Sequence, residues 1–213
     1  MRSNLILSKS WPVCQEKKRA FPKITFSRPF LAAALLLLAL NLRWVLLLGF
    51  AAAAVHEAGH LLALTLFGSR AEAICFRLSG PEIRYRQRGL NYRKEAAVAL
   101  AGPTFNLIAA ALFVPLALRL GSALLFLWIG CHVALAAFNL IPALPLDGGR
   151  ALHCLLSALF PQAGQTIAVW FSRFVGLGML GFGLSILLRY RNPTLFCAGL
   201  LIFLYTSKET PLQ

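Results

Sequence analysis

Apolar residues fall in long continuous runs, at about residues 30–42, 44–67, 96–118, 122–142, 165–188 and 193–206. A helix needs about 20 apolar residues to cross a hydrocarbon core of roughly 30 Å. The pattern therefore predicts six membrane-spanning helices, the first of them short, and the first two, parted only by Arg43, form a tight helical hairpin. Between the second and third runs the period changes. Ile74, Phe76 and Leu78 alternate with Cys75 and Arg77, and after Ser79, Gly80 and Pro81 the alternation resumes at Ile83, Arg84, Tyr85 and Arg86. A period of two predicts a β-hairpin, here at the membrane surface. The expected fold is thus an all-α polytopic membrane protein of about six transmembrane helices with a small β-hairpin on its cytoplasmic side. Residues 1–29 have no apolar periodicity to bury and are expected to form a tail. No internal repeat is visible.

Composition removes the soluble alternatives. Of 213 residues, 59% are apolar and 13% charged, and the mean hydropathy is +0.72, whereas soluble domains carry about 25% charged residues. The net charge of +14, from 21 Lys and Arg against 7 Asp and Glu, would suggest nucleic acid in a soluble protein. Here the basic residues sit in two blocks that flank apolar runs, which is the positive-inside signature instead. One block is Arg2, Lys9, Lys17, Lys18, Arg19, Lys23 and Arg28, and the other is Arg70, Arg77, Arg84, Arg86, Arg88, Arg93 and Lys94. Six spans with a cytoplasmic amino terminus put both blocks, and both termini, in the cytoplasm. The expected division is a basic cytoplasmic tail at 1–29, a membrane domain at 30–206 and a short cytoplasmic tail at 207–213. A cleaved signal would also show a basic region, an apolar stretch and small residues such as Ala51–Ala54. Its cleavage would remove a helix that the charge parity requires. Five cysteines without CxxC spacing indicate neither a disulfide framework nor a cysteine zinc site.

Two acids, Glu57 and Asp147, lie deep in apolar surroundings. An ionisable group at membrane depth costs several kcal/mol unless it is paired or bound to a metal. Glu57 stands in His56-Glu57-Ala58-Gly59-His60, the HExxH pattern. On a helix, positions i and i+4 share a face, so two imidazoles can bind one zinc ion while the intervening glutamate reaches the attacking water. The plainer reading is a pair of histidines hydrogen-bonded to neighbouring helices. Hydrolytic zinc commonly keeps three protein ligands and one open position. Asp147, in Asn139-Leu140-Ile141-Pro142-Ala143-Leu144-Pro145-Leu146-Asp147-Gly148-Gly149, is the candidate third ligand, and an N-cap for a helix starting near Arg150 is compatible with that role. Two prolines and two glycines break the helix here, and broken backbone at membrane depth is tolerated only where protein or a wet cavity surrounds it. In the six-span topology, HExxH and this segment reach the same depth, near the cytoplasmic face.

Over roughly residues 30–206 the chain resembles the site-2 protease family of intramembrane zinc metalloproteases. The marks are His56-Glu57-Ala58-Gly59-His60, Gly102-Pro103-Thr104-Phe105-Asn106 in the third span, and Asn139, Pro142, Asp147 and Gly148 around the end of the fourth. The resemblance implies one Zn²⁺ per chain bound by His56, His60 and Asp147, Glu57 as catalytic base, and Asn139 as a catalytic residue holding substrate or the oxyanion. The compact layout is most similar to the stage IV sporulation protein FB group, which releases a membrane-associated sigma factor from its pro-sequence. Unlike that group, the chain shows no CBS domain, and its hairpin reads Leu78-Ser79-Gly80-Pro81 where many members have a Phe-Gly-Gly stretch. Implied partners are a membrane-associated protein substrate, the lipid bilayer and a regulatory membrane protein, without nucleic acid. The implied location is a bacterial cytoplasmic membrane.

The hairpin near Phe76 and Leu78 is a candidate substrate-binding edge, to which an unwound substrate would add as a strand. Its alternative is a basic loop anchored to lipid head groups. His132 reads as a packing histidine and His153 as an interfacial one. Gly102 and Asn106 fit either contact with the active site or close helix packing plus one interhelical hydrogen bond. Arg173 snorkels or marks a later helix start. A metal transporter with His56, His60 and Asp147 as a transit site is the main rival from another class, although it has no need of a glutamate fixed inside HExxH and the spans show no repeated halves. A catalytically silent regulatory homologue is a third reading.

Overall fold

The computed structural model describes residues 23–26, 43–68, 71–77, 80–85 and 91–208. Among them are six helices: α1 (Arg43–Leu66), α2 (Tyr92–Leu120), α3 (Ala123–Asn139), α4 (Asp147–Leu159), α5 (Gly164–Tyr190) and α6 (Thr194–Lys208). Three segments are long and apolar enough to cross a membrane, Leu47–Leu66, Tyr92–Leu120 and Gly164–Tyr190. The other two apolar helices, α3 with 17 residues and α6 with 15, are about 25 and 22 Å long at 1.5 Å per residue, short of a full crossing unless flanking chain completes it. The expected first span, 30–42, lies outside the described residues.

Burial runs opposite to that of a soluble protein. Large apolar side chains face outward all along the helices, among them Leu112, Phe174 and Leu188 at 72 to 76% exposure. The polar His56, His60, Asn106, His132, Asp147, Ser172 and Thr206 are buried. Lipid is the solvent that makes this arrangement favourable, because it neither expels leucine nor hydrates histidine. The chain is a membrane protein. Between helices the buried positions are largely alanine and glycine, including Ala52, Ala99, Ala110, Ala117 and Ala136. With no hydrophobic force to bring helices together in lipid, small residues allow the close backbone approach that dispersion needs.

Helix α2 is the hub and packs against α1, α3 and α4, while α1 also meets α3. Its ends are written locally. Asn91 caps the amino end by accepting from Lys94 N–H at 2.9 Å, and Gly121 closes the other end with φ +58°, the left-handed turn that favours glycine. Helix α3 ends at Asn139, and a turn over 140–146 leads into α4. The N–H groups of that turn are bonded within the protein: Ala143 N–H donates to Ile141 O at 2.8 Å, Leu146 N–H to Ala143 O at 2.9 Å and Leu144 N–H to Ser172 Oγ on α5 at 2.9 Å. The α4 helix buries Ala151, Cys154 and Ser157 on one side and exposes Leu155 and Leu159 on the other.

Three short strands are also described: β1 (Lys23–Phe26), β2 (Ala71–Arg77) and β3 (Gly80–Tyr85), in the order β1-β2-β3. The β2 strand pairs antiparallel with β3, and β1, from the segment expected to be a tail, pairs parallel with β2. Phe76 therefore has Phe26 on one side and Pro81 on the other. This corrects the sequence expectation for Phe76, because a central strand has no free edge to offer a substrate. Leu78 lies outside the described residues.

Candidate metal centre

His56 and His60 project from one face of α1, one turn apart, toward α2 and the start of α4. His56 Nε2 lies 2.9 Å from Asp147 Oδ2, His60 Nε2 lies 3.1 Å from His56 Nε2, and His60 Nε2 lies 3.2 Å from Asp147 Oδ2. The two rings meet edge to face, with centroids 4.7 Å apart. Two nitrogens and one oxygen thus form a nearly equilateral triangle. Four-coordinate zinc with bonds of about 2.0–2.1 Å sets its ligand atoms roughly 3.3 Å apart. The triangle is within a few tenths of an ångström of that spacing, and its two imidazoles and one carboxylate are a donor set of hydrolytic zinc sites. Glu57 adds a carboxylate to the same cluster, with ligand atoms of His56, Glu57 and His60 all within 4.8 Å of one another.

Each ligand atom is oriented from behind. His60 Nδ1–H donates to Val98 O at 2.7 Å, which leaves Nε2 with the lone pair. That carbonyl lies next to the ladder position opened by Pro103, which has no N–H for Ala99 O. Asp147 divides its oxygens: Oδ2 faces the histidines while Oδ1 lies 3.5 Å from Arg150 Nη1, one turn on. As the first residue of α4, Asp147 also sits at the positive end of a helix dipole. The glycines after it are required by close approach. A Cβ on Gly148 would meet the carbonyls of Leu140 and Ile141, and one on Gly149 the backbone of Ala143 and Leu144.

Gly102 makes room for the centre itself. A Cβ there would overlap the His60 ring and lie 2.8 Å from His56 Nε2, in the space where the two Nε2 atoms converge. One turn further along α2, the Asn106 amide nitrogen lies 3.2 Å from His56 Nδ1. Of the two sequence readings for Gly102 and Asn106, contact with the centre is the one the geometry favours. Asn139 is half-buried at the end of α3, and its Nδ2–H donates to Leu135 O at 3.0 Å on its own helix. His132 is fully buried. Its link to the centre through Asn106 was not legible in the sequence, because it depends on the register of three helices.

Cys154 is not poised as a nucleophile. Burial, with the neighbouring Glu95 carboxylate next in importance, pushes the Cys154 thiol up to about 12, so it stays protonated and inert at neutral pH.

No family model matches the chain. It is 31% identical over 156 residues to a candidate zinc metalloprotease of Synechocystis sp., an alignment covering 67% of this chain and 40% of that protein. It is 27% identical over 168 residues to a zinc metalloprotease of Methanocaldococcus jannaschii, covering 76% and 48%. The chain spans less than half the length of either relative. Among solved structures, the site-2 protease from Methanocaldococcus jannaschii superimposes with a TM-score of 0.68 and 23% identity, over 92% of this chain and 95% of that one. The class defined by these helices is a membrane-embedded one. The chain shares the fold of that site-2 protease.

Proposed function

We propose that this protein is an intramembrane zinc metalloendopeptidase that hydrolyses a peptide bond of a membrane-associated or transmembrane protein substrate near the cytoplasmic face. The observation that carries the proposal is the triangle of His56 Nε2, His60 Nε2 and Asp147 Oδ2 with Glu57 beside it. The sequence relatives named as zinc metalloproteases support it. Zinc is the cofactor, one per chain, and when bound it supplies Lewis acidity toward the scissile carbonyl and lowers the pKa of water. Glu57 accepts the proton of the attacking water and returns it to the leaving amine. Arg150 and Val98 hold Asp147 and His60 in place for this role, and Asn139 contributes a polar group at the end of α3 for the substrate backbone or oxyanion.

Six spans with both termini cytoplasmic complete the proposed topology. A helical substrate hides its carbonyls in internal hydrogen bonds, so it must unwind before attack. The outer edge of β3 has no partner strand among the described residues and is the edge to which unwound substrate adds. Proline at Glu82, Ile83 or Arg84 in turn is expected to abolish cleavage at one position or more with zinc content unchanged. Native cleavage in all three would leave the sheet as a membrane anchor only.

The direct test is comparative membrane proteomics of cells carrying the native chain or Glu57→Gln, with membrane-tethered sigma-factor pro-sequences among the proteins followed. Intact substrate should accumulate only with Glu57→Gln. Identical processing in both cells would refute proteolysis by this site.

A further inference from the structure

Behind His56 runs a second polar chain that the proposed reaction does not use. The Asn106 amide nitrogen lies 3.2 Å from His56 Nδ1, and its oxygen lies 3.1 Å from His132 Nδ1. The chain crosses three helices, from α1 through α2 to α3. Asn106 and His132 are both 0% exposed. The Trp128 ring packs against His132 at 4.2 Å with the planes 65° apart, and Phe113 backs Trp128 at 5.7 Å.

Burying an imidazole in an apolar bundle is costly unless its polar atoms are used. Among the described residues His132 Nε2 has no hydrogen-bond partner, so the whole polar commitment of this ring rests on its Nδ1 contact with Asn106. A phenylalanine or leucine would fill the space without that cost, which argues against simple packing.

The protons can be placed from the site outward. If His56 presents Nε2 to a metal, its Nδ1 carries the hydrogen and must donate. The amide answers that donor with its oxygen, a half-turn about the last side-chain bond that leaves the positions of its two polar atoms unchanged. Its nitrogen then faces His132 and donates to Nδ1. Every group in the resulting sequence has one role: His56 Nδ1–H to Asn106 Oδ1, and Asn106 Nδ2–H to His132 Nδ1. In the reverse direction the amide would donate to His56, and the hydrogen would sit on the nitrogen facing Asp147.

We infer that Asn106 and His132 are positioning residues for the metal centre: His132 fixes the orientation of the Asn106 amide, and the amide fixes the ring plane and tautomer of His56. This rests on the proposed zinc site and adds two residues to its function. Partners of this kind are worth about 10- to 100-fold in metal affinity elsewhere. His132 acts only through Asn106, so their effects must overlap rather than add.

Zinc dissociation constants of the full chain, reconstituted in nanodiscs, test this by competition with a chromophoric chelator. The set is native, His56→Ala, Asn106→Leu, His132→Leu, His132→Asn and the double leucine variant, and unfolding of each metal-free protein serves as the structural control. Asparagine places an amide atom where histidine has Nδ1, so it keeps the bond to Asn106 and loses the ring. His132→Leu is expected to weaken zinc binding about 10-fold or more, His132→Asn to restore most of it, and the double variant to be no worse than Asn106→Leu alone. The d–d spectrum of the cobalt-substituted protein should shift in Asn106→Leu and His132→Leu. Zinc affinity in His132→Leu within twofold of native, or equal loss in His132→Leu and His132→Asn, would overturn the inference while the zinc site stands. A native chain no tighter for zinc than His56→Ala would overturn both.

Discussion

At residue 102 one methyl group decides whether a metal fits. The Cβ of an alanine would enter the space between the two imidazoles and overlap the His60 ring, and neither ring can retreat while Val98 and Asn106 hold their Nδ1 atoms. Gly102→Ala is therefore expected to lower bound zinc to background and cleavage by more than about 100-fold, with α-helical content unchanged, since alanine favours a helix interior over glycine by about 1 kcal/mol. Metal analysis and circular dichroism of the purified variant check this, and full zinc occupancy would contradict it. His56, Glu57 and His60 were legible because the i, i+4 rule needs only the local period of one helix. Asp147 was legible because a carboxylate in a broken apolar segment is costly without a partner. The Asn106 to His132 link was not, since its two residues are 26 apart on separate helices and no local rule brings them together.

At the scale of elements, the turn between α3 and α4 sets the height and angle of Asp147. Five of the six apolar runs coincide closely with described helices, because lipid exposure demands continuous apolar sequence. The α4 helix was anticipated only as a start near Arg150. Its polar and apolar residues alternate around the helix, so it makes no continuous run, and its position depends on Gly148 and Gly149 fitting against backbone at 140–144. The β1 strand was illegible for a different reason: four residues pairing with a strand some 50 positions away leave little trace in local pattern. Ser172 supplies the tie that holds the turn, accepting from Leu144 N–H at 2.9 Å while donating to Ala168 O at 2.7 Å. In Ser172→Ala the half-buried Leu144 N–H loses its partner. A stability loss of about 1–3 kcal/mol and faster zinc release to a chelator are expected in thermal unfolding and chelation measurements. Unchanged behaviour in both would show that the turn is held without α5.

For the whole molecule, charge and hydropathy settle the solvent but orientation is a separate matter. Outward leucines and buried histidines require lipid around the helices, and the two basic blocks are the basis on which we propose a cytoplasmic amino terminus and a cytoplasmic 69–94 connection. In a Cys-free background, cysteines introduced at Ser10 and Gly89 are expected to resist an impermeant thiol reagent in intact cells, while one at Gly121 reacts. Labelling at Ser10 from outside would invert the molecule and move the metal centre to the opposite face.

The metal centre itself is the claim on which the rest depends, and metal content of the purified chain tests it most directly. Mass-spectrometric analysis of the native protein should find one zinc per chain. His56→Ala, His60→Ala and Asp147→Ala should each lose it, and Glu57→Gln should retain it, since an amide cannot accept the water's proton but leaves the three ligands in place. Full zinc in Asp147→Ala, or none in the native chain, would contradict the account.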